Sequence, residues 1–273
     1  LIRGIDLAAR REGFHLLVSS SHSDTDELVA AMRSMRGRID GLVVMAPDLD
    51  SAAAIHDAAG GFPVVVLDPG VGLASWDTIS MANQDGAFQV VRHLIGLGHH
   101  RIAAVTGPRD NIDAQQRVAG YRAALAEAGI AHDAQLEIEG DFTEPSGYRA
   151  VGTLLGLSPR PTAAFFGNDY MAIGALSALS EAGIHVPDDL AIAGFDDIAM
   201  ARYLTPALTT VHVDLIEFGA RAIRRLIEVK EEAPGGVPRQ EVVGTQLVVR
   251  RSCGAPEAAK EPFPTHEARR RRP

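Results

Sequence analysis

Short runs rich in Val, Ile, Leu and Ala recur along the chain at 14–19, 41–46, 63–67, 101–106, 162–167 and 190–195. They are apolar on both faces of a would-be strand, which predicts parallel strands covered by helices on either side. The intervening segments have helical spacing. Ser23, Asp24, Thr25 and Asp26 open a helix that lines up Leu28, Val29, Met32 and Met35. Asp214, with Glu217 three residues on, predicts a capping box ahead of Leu215, Phe218, Ala222 and Leu226 on one face. Further helices are expected over 1–13 and 82–98.

Strict β/α alternation predicts open, doubly wound sheets, and the length calls for more than one of them. The helix over 82–98 reads as the last of a first unit, and the strand opening at Arg101 as the start of a second. The simplest assignment puts 1–98 and 213–240 in an N-terminal unit, 99–212 and 241–253 in a C-terminal unit, and 254–273 in a disordered tail. The chain then crosses between units three times, making a hinge beside a cleft at the carboxyl ends of the strands, where open α/β sheets bind ligands.

The chain has 273 residues, 46% of them hydrophobic, enough for two ordinary cores. Its formal net charge of -9 is the wrong sign for a body that grips phosphate backbones by itself. The run Arg269-Arg270-Arg271-Arg272 is the exception, and such terminal runs are usually solvated. The single cysteine, Cys253, cannot form an intrachain disulfide, which fits a cytoplasmic location. No run approaches the roughly 20 apolar residues of a membrane span. His93, His99 and His100 lack the spacing of a metal site, so no metal is expected. No nucleophile elbow, phosphate-binding loop, zincin motif or dinucleotide fingerprint occurs, so neither catalysis nor a cofactor is expected. The chain starts at Leu1, without methionine, directly in a helix-like stretch, so an upstream segment is expected: a leader or a DNA-binding head.

Several segments together resemble the effector domain of the lactose-repressor (LacI/GalR) family. They are Asn83-Gln84-Asp85-Gly86, Leu97-Gly98-His99, Arg117-Val118-Ala119-Gly120-Tyr121, Gly140-Asp141-Phe142, Asn168-Asp169-Tyr170-Met171, Gly194-Phe195-Asp196-Asp197 and the stretch from Leu204 to Val211. The similarity spans about residues 1–252 in the family's order. It implies a periplasmic-binding-protein-like fold of two units around a ligand cleft. It also implies a DNA-reading helix-turn-helix and a first sheet strand, both expected upstream of Leu1, and a homodimer in contact through 1–13 and 203–208. Operator DNA would be read only through the absent head, under allosteric control by a small-molecule effector. A periplasmic solute-binding protein of a transporter is the alternative.

The resemblance places Asp85, Arg117, Asn168 and Asp196 against the effector, with Phe142 offering an aromatic face and Asp113 a further contact. The chemistry suits a sugar, because carboxylates accept from vicinal hydroxyls and a guanidinium donates in a fixed fork. Asp85 and Asn168 could instead simply cap helices, and Phe142 could be an ordinary core residue. Two carboxylates against one arginine favour a neutral polyhydroxylated ligand over an anionic one; a purine stacked on Phe142 is the competitor.

Overall fold

The structure is a computed structural model that describes residues 1–20, 24–45, 52–59, 61–69, 75–232 and 237–256. The first unit opens with α1 (Ile2–Arg11), α2 (Thr25–Ser34), β1 (Leu42–Met45), α3 (Ala52–Ala59), β2 (Val64–Leu67), β3 (Asp77–Met81) and α4 (Asn83–Gly96). The second contains β4 (Ile102–Thr106), α5 (Ile112–Glu127), β5 (Glu137–Glu139), α6 (Glu144–Gly156), β6 (Ala163–Phe166), α7 (Asp169–Glu181) and β7 (Ala191–Ala193). The chain then runs through β8 (Thr210–His212), α8 (Leu215–Glu231), β9 (Gln240–Val243) and β10 (Gln246–Val248).

Among the described residues two parallel four-stranded sheets result, in the orders β1-β2-β3-β9 and β5-β4-β6-β7, while β8 and β10 pair antiparallel as a separate ribbon. Val64–Leu67 is buried along its whole length, as expected of a strand covered on both faces. The Asp24 carboxylate caps α2 by accepting from the Glu27 N–H, and Asp214 caps α8 through the Glu217 N–H. The Glu217 carboxylate, however, accepts from Arg221 and Arg224, so it pairs along α8. Buried Phe218, Ala222 and Ile223 seat α8 on the first unit, where α1 meets it so closely that a side chain at Gly4 would collide with the Ile216 carbonyl.

Two segments also depart from the sequence expectations. Among the described residues, 14–19 pair with no strand: Phe14 and Leu16 pack beside α1, but Leu17 and Val18 are 61% and 65% exposed. An apolar run is a strand only where a neighbour takes its N–H and C=O groups, and β1 pairs among the described residues with β2 alone. The second departure concerns 241–253, assigned above to the second unit. Gln240–Val243 instead hydrogen-bonds to β3 in the first sheet, and only Gln246–Val248 goes to β8, so the crossing falls at Gly244-Thr245. The residues from Glu257 onward, most of the expected disordered tail and all four terminal arginines, lie outside the described residues.

The two units meet helix to helix. At Gly120 in α5 a side chain would collide with the Gln84 carbonyl of α4, so these helices touch backbone to backbone. The contact brings the start of α4 and the first turns of α5 beside the carboxyl ends of both sheets.

Candidate functional site

Every group at this junction leaves the carboxyl end of a parallel strand or opens the helix that follows it. Asp68 follows β2, Asn83 follows β3, Phe142 follows β5, Gly167 and Asn168 follow β6, and Asp196 follows β7. Among the described residues, positive φ outside glycine occurs at Asp68 (43°), Phe142 (66°), Asp196 (107°) and Asp197 (51°), all in these turns. Backbone held in this region costs about 1–3 kcal/mol per residue, and such residues concentrate at binding sites, where the surroundings fix them.

Arg117 is the hub. From the second turn of α5 its Nε donates to Asn83 Oδ1 at 2.8 Å and its Nη1 to the Gly167 carbonyl at 2.6 Å. The same Nη1 lies 3.4 Å from Asp196 Oδ1, and the guanidinium carbon sits 3.9 Å from the centroid of the Phe195 ring. Arg117 is buried, so a geometry that occupies its donors and its flat face is what allows the charge to be there. Asn83 passes the contact on, its Nδ2 donating to Asp113 Oδ1 at 2.9 Å. Asn83 opens α4 whereas Asp113 and Arg117 belong to α5, so this chain of bonds joins the two units.

Phe142 lies 5.8 Å from the Arg117 guanidinium carbon, and its ring occupies the space that a side chain at Gly107 would need. Asn168 fixes this loop: its Nδ2 donates to the Phe142 carbonyl at 2.9 Å while its Oδ1 accepts from the Met171 N–H, capping α7. Asn168 therefore caps α7 and with the same side chain holds the Phe142 loop beside Arg117. Asp85 is not brought to the group. It is exposed on the first turn of α4 and accepts from Gln89 Nε2 at 2.6 Å, an ordinary pair along a helix.

The sequence reading overlooked Asp68. It is 2% exposed; its Oδ1 accepts from the Met81 N–H at 2.9 Å, and its Oδ2 is buried with no hydrogen-bond partner. Burial, reinforced by the nearby Asp113 charge, pushes its pKa up to about 7 against the pull of Met81 and Arg117. Burial likewise raises Asp196 to about 6, opposed by Arg117. A signal was present in the sequence: an acidic residue directly after a wholly apolar strand and before Pro69 occupies the place where open α/β sheets present ligand groups.

Three carboxyl groups thus surround one guanidinium, and the arginine and asparagine donors described above are engaged within the protein. What remains for a ligand is an acceptor-rich wall, an aromatic face and Arg117 Nη2, which takes no part in the bonds above. Among the described residues no group of three or more His, Cys, Asp or Glu side chains could hold a metal ion. A separate hollow of about 250 Å³ beside β5 and α6, lined in part by Asp141, Ser146 and Arg149, contains none of the cluster residues.

Comparison with known proteins agrees with this architecture. Residues 91–253 match the family model described as a periplasmic binding protein-like domain. The HTH-type transcriptional repressor PurR of Mannheimia succiniciproducens is 31% identical over 255 residues, covering 92% of this chain and 76% of that protein. The structure of the transcriptional regulator CelR in complex with cellobiose superposes with a TM-score of 0.84 at 30% identity, over 92% of this chain and 77% of that one. The lac repressor dimer bound to operator and the anti-inducer ONPF gives a TM-score of 0.84 at 29% identity, over 93% and 76%. With the paired sheets and the interdomain cluster in place, these matches show that the chain belongs to the LacI/GalR family of transcription regulators and comprises its ligand-binding domain.

Proposed function

We propose that this domain senses a small neutral polyhydroxylated molecule, a mono- or disaccharide, held between the units by Asp68, Arg117, Phe142, Asn168 and Asp196, with Asp113 supporting from α5. The observation that carries this reading is the unpartnered Asp68 Oδ2 beside Asp113 and Arg117. A buried carboxyl oxygen without a partner costs free energy, and a ligand hydroxyl, which can donate to it or accept from its proton, supplies one. Vicinal hydroxyls also suit the Asp196–Arg117 pair, and the apolar face of a sugar ring suits Phe142. An anionic ligand would meet three carboxyl groups and a single guanidinium. The cellobiose bound by CelR supports the sugar class.

The ligand would act by differential binding. Asp68 and Asn83 sit on the first unit and Arg117, Phe142 and Asp196 on the second, so contacts made to both depend on how the units are oriented. A ligand favouring one orientation shifts the population toward it and thereby changes how DNA-reading heads are presented. The lac repressor structure contains a dimer on operator, and a symmetric dimer is proposed here as well. Exposed Ile2 and Leu7 on α1 and Met200 and Tyr203 beside the 3-10 turn Ala201–Tyr203 supply its apolar surface.

A thermal-shift screen of neutral sugars, sugar phosphates and purines tests the ligand class. A ligand at about 100 times its Kd adds ~2.7 kcal/mol of stability, a shift of several degrees for domains of this size. A response confined to sugar phosphates or purines rejects the neutral-sugar reading.

A further inference from the structure

Asp169 takes no part in the site described above, yet it is fully buried at the first position of α7, and both of its carboxylate oxygens are committed to neighbouring elements. Oδ2 accepts from the Ile198 N–H at 2.9 Å. Oδ1 accepts from the Thr210 hydroxyl at 2.6 Å, and the same hydroxyl oxygen accepts from the Asp197 N–H at 3.4 Å. Asp169 therefore grips two consecutive N–H groups of the 196–198 turn, one directly and one through Thr210. Its own N–H donates to the Phe195 carbonyl at 2.8 Å, closing the grip on the other side. Gly194 has no room for a side chain because the Asp169 carboxylate fills that space.

The segment so held contains the two adjacent non-glycine residues with positive φ, Asp196 and Asp197. Their carboxylates leave the turn in different directions. Asp196 faces Arg117 at 3.4 Å, whereas Asp197 pairs with His212 of the crossing strand β8 at 3.0 Å and with Arg250, two residues past the crossing strand β10, at 2.6 Å. Thr210, the relay, lies on β8, one of those crossing strands.

We propose that Asp169, acting through Thr210, is a positioning residue: it holds the strained Asp196-Asp197 turn so that Asp196 meets Arg117 at the ligand site while Asp197 stays tied to the crossing strands. Two backbone conformations that L-residues rarely adopt persist because a buried acceptor overdetermines them. The same grip links the site to β8, so the orientation of Asp196 follows the position of the hinge. This proposal rests on the assignment of Asp196 to the ligand site, but its test needs no ligand.

The test is carbon-13 NMR of Asp side-chain carboxyls in the full chain, titrated with pH in the wild type, Thr210→Val, Thr210→Ser and Asp169→Asn. Burial is the largest influence on Asp196, so loosening its turn is expected to move the Asp196 midpoint down by at least half a pH unit in Thr210→Val and Asp169→Asn. Asp68, anchored in the other sheet, keeps its midpoint, and Thr210→Ser, which restores the hydroxyl, titrates as the wild type does. An unchanged Asp196 midpoint in Thr210→Val, or equal displacement of Asp68 and Asp196, overturns the proposal; if Asp169→Asn fails to fold, Thr210→Val decides alone. Failure of the sugar screen with a displaced Asp196 rejects the ligand assignment and leaves the positioning role standing.

Discussion

The Arg117 guanidinium lies over the Phe195 ring, 3.9 Å from its centroid, and from there reaches Asn83, Gly167 and Asp196. The pairing depends on a planar cation with several fixed donors. Arg117→Lys keeps the charge but loses the fork and the stacked face, and is expected to cost ~1–3 kcal/mol. Arg117→Ala removes the hydrogen bonds to Asn83 and Gly167, the stacking on Phe195 and the pair with the quarter-exposed Asp196, and is expected to cost ~2–4 kcal/mol. Urea unfolding of both variants gives the comparison, and equal stability of lysine and wild type would contradict it.

Asp68 and Asp169 are raised to about 7 and Asp196 to about 6. Each holds its proton more tightly folded than unfolded, so the native state binds more protons. Their contribution is fully present below about pH 4 and is lost as pH rises toward 7. Asp68→Asn tolerates the positive φ, keeps an acceptor for the Met81 N–H and removes the buried charge. Its stability relative to wild type is expected to improve by ~2–4 kcal/mol between about pH 4 and pH 8. Denaturation curves at several pH values check the slope; a constant difference across the range would sink the prediction.

Gly107 and Gly120 are required by close approach, and their substitutions should separate site from scaffold. Gly107→Ala pushes into the Phe142 ring, which can swing away, so it is expected to weaken ligand binding about tenfold with a modest loss of stability. Gly120→Ala pushes into the Gln84 backbone, which cannot swing away, so a loss of ~2 kcal/mol or more is expected from parting α4 and α5. Melting temperatures rank the two; Gly107→Ala being the less stable would reverse the interpretation.

Strands were legible where burial on both faces left only apolar residues, as in Val64–Leu67 and Ala163–Phe166. Asp77–Met81 was not, because its polar residues meet partners supplied by tertiary structure: Asp77 accepts from buried Arg225 of α8 at 2.6 Å. The run at 14–19 misled for the opposite reason, having a strand's composition without a ladder. At the site, Arg117, Asn168, Phe142 and Asp196 came together and Asp113 joined through Asn83, since strand ends and helix starts are marked by local signals. Asp85 looked equivalent to them, but only the direction in which α4 presents it, toward solvent and Gln89, tells it apart. Asp68 was marked only by its place after an apolar strand and before Pro69; its burial and its unpartnered oxygen come from the tertiary packing around that turn.

The proposed dimer relies on apolar side chains left in solvent, Tyr203 being 74% exposed. Sedimentation at tens of micromolar is expected to show a dimer, and Tyr203→Arg to shift it toward monomer. A monomeric wild type at that concentration would contradict the assembly.

The ligand site itself is tested most directly by calorimetric titration of cellobiose and a panel of neutral mono- and disaccharides into wild type and Arg117→Ala, with sugar phosphates and purines alongside. A neutral saccharide is expected to bind the wild type and to bind Arg117→Ala at least ~100-fold more weakly, equivalent to ~2.7 kcal/mol of lost contacts. Equal affinity for both proteins, or heat released only by anionic compounds or purines, would contradict a neutral-sugar site centred on Arg117.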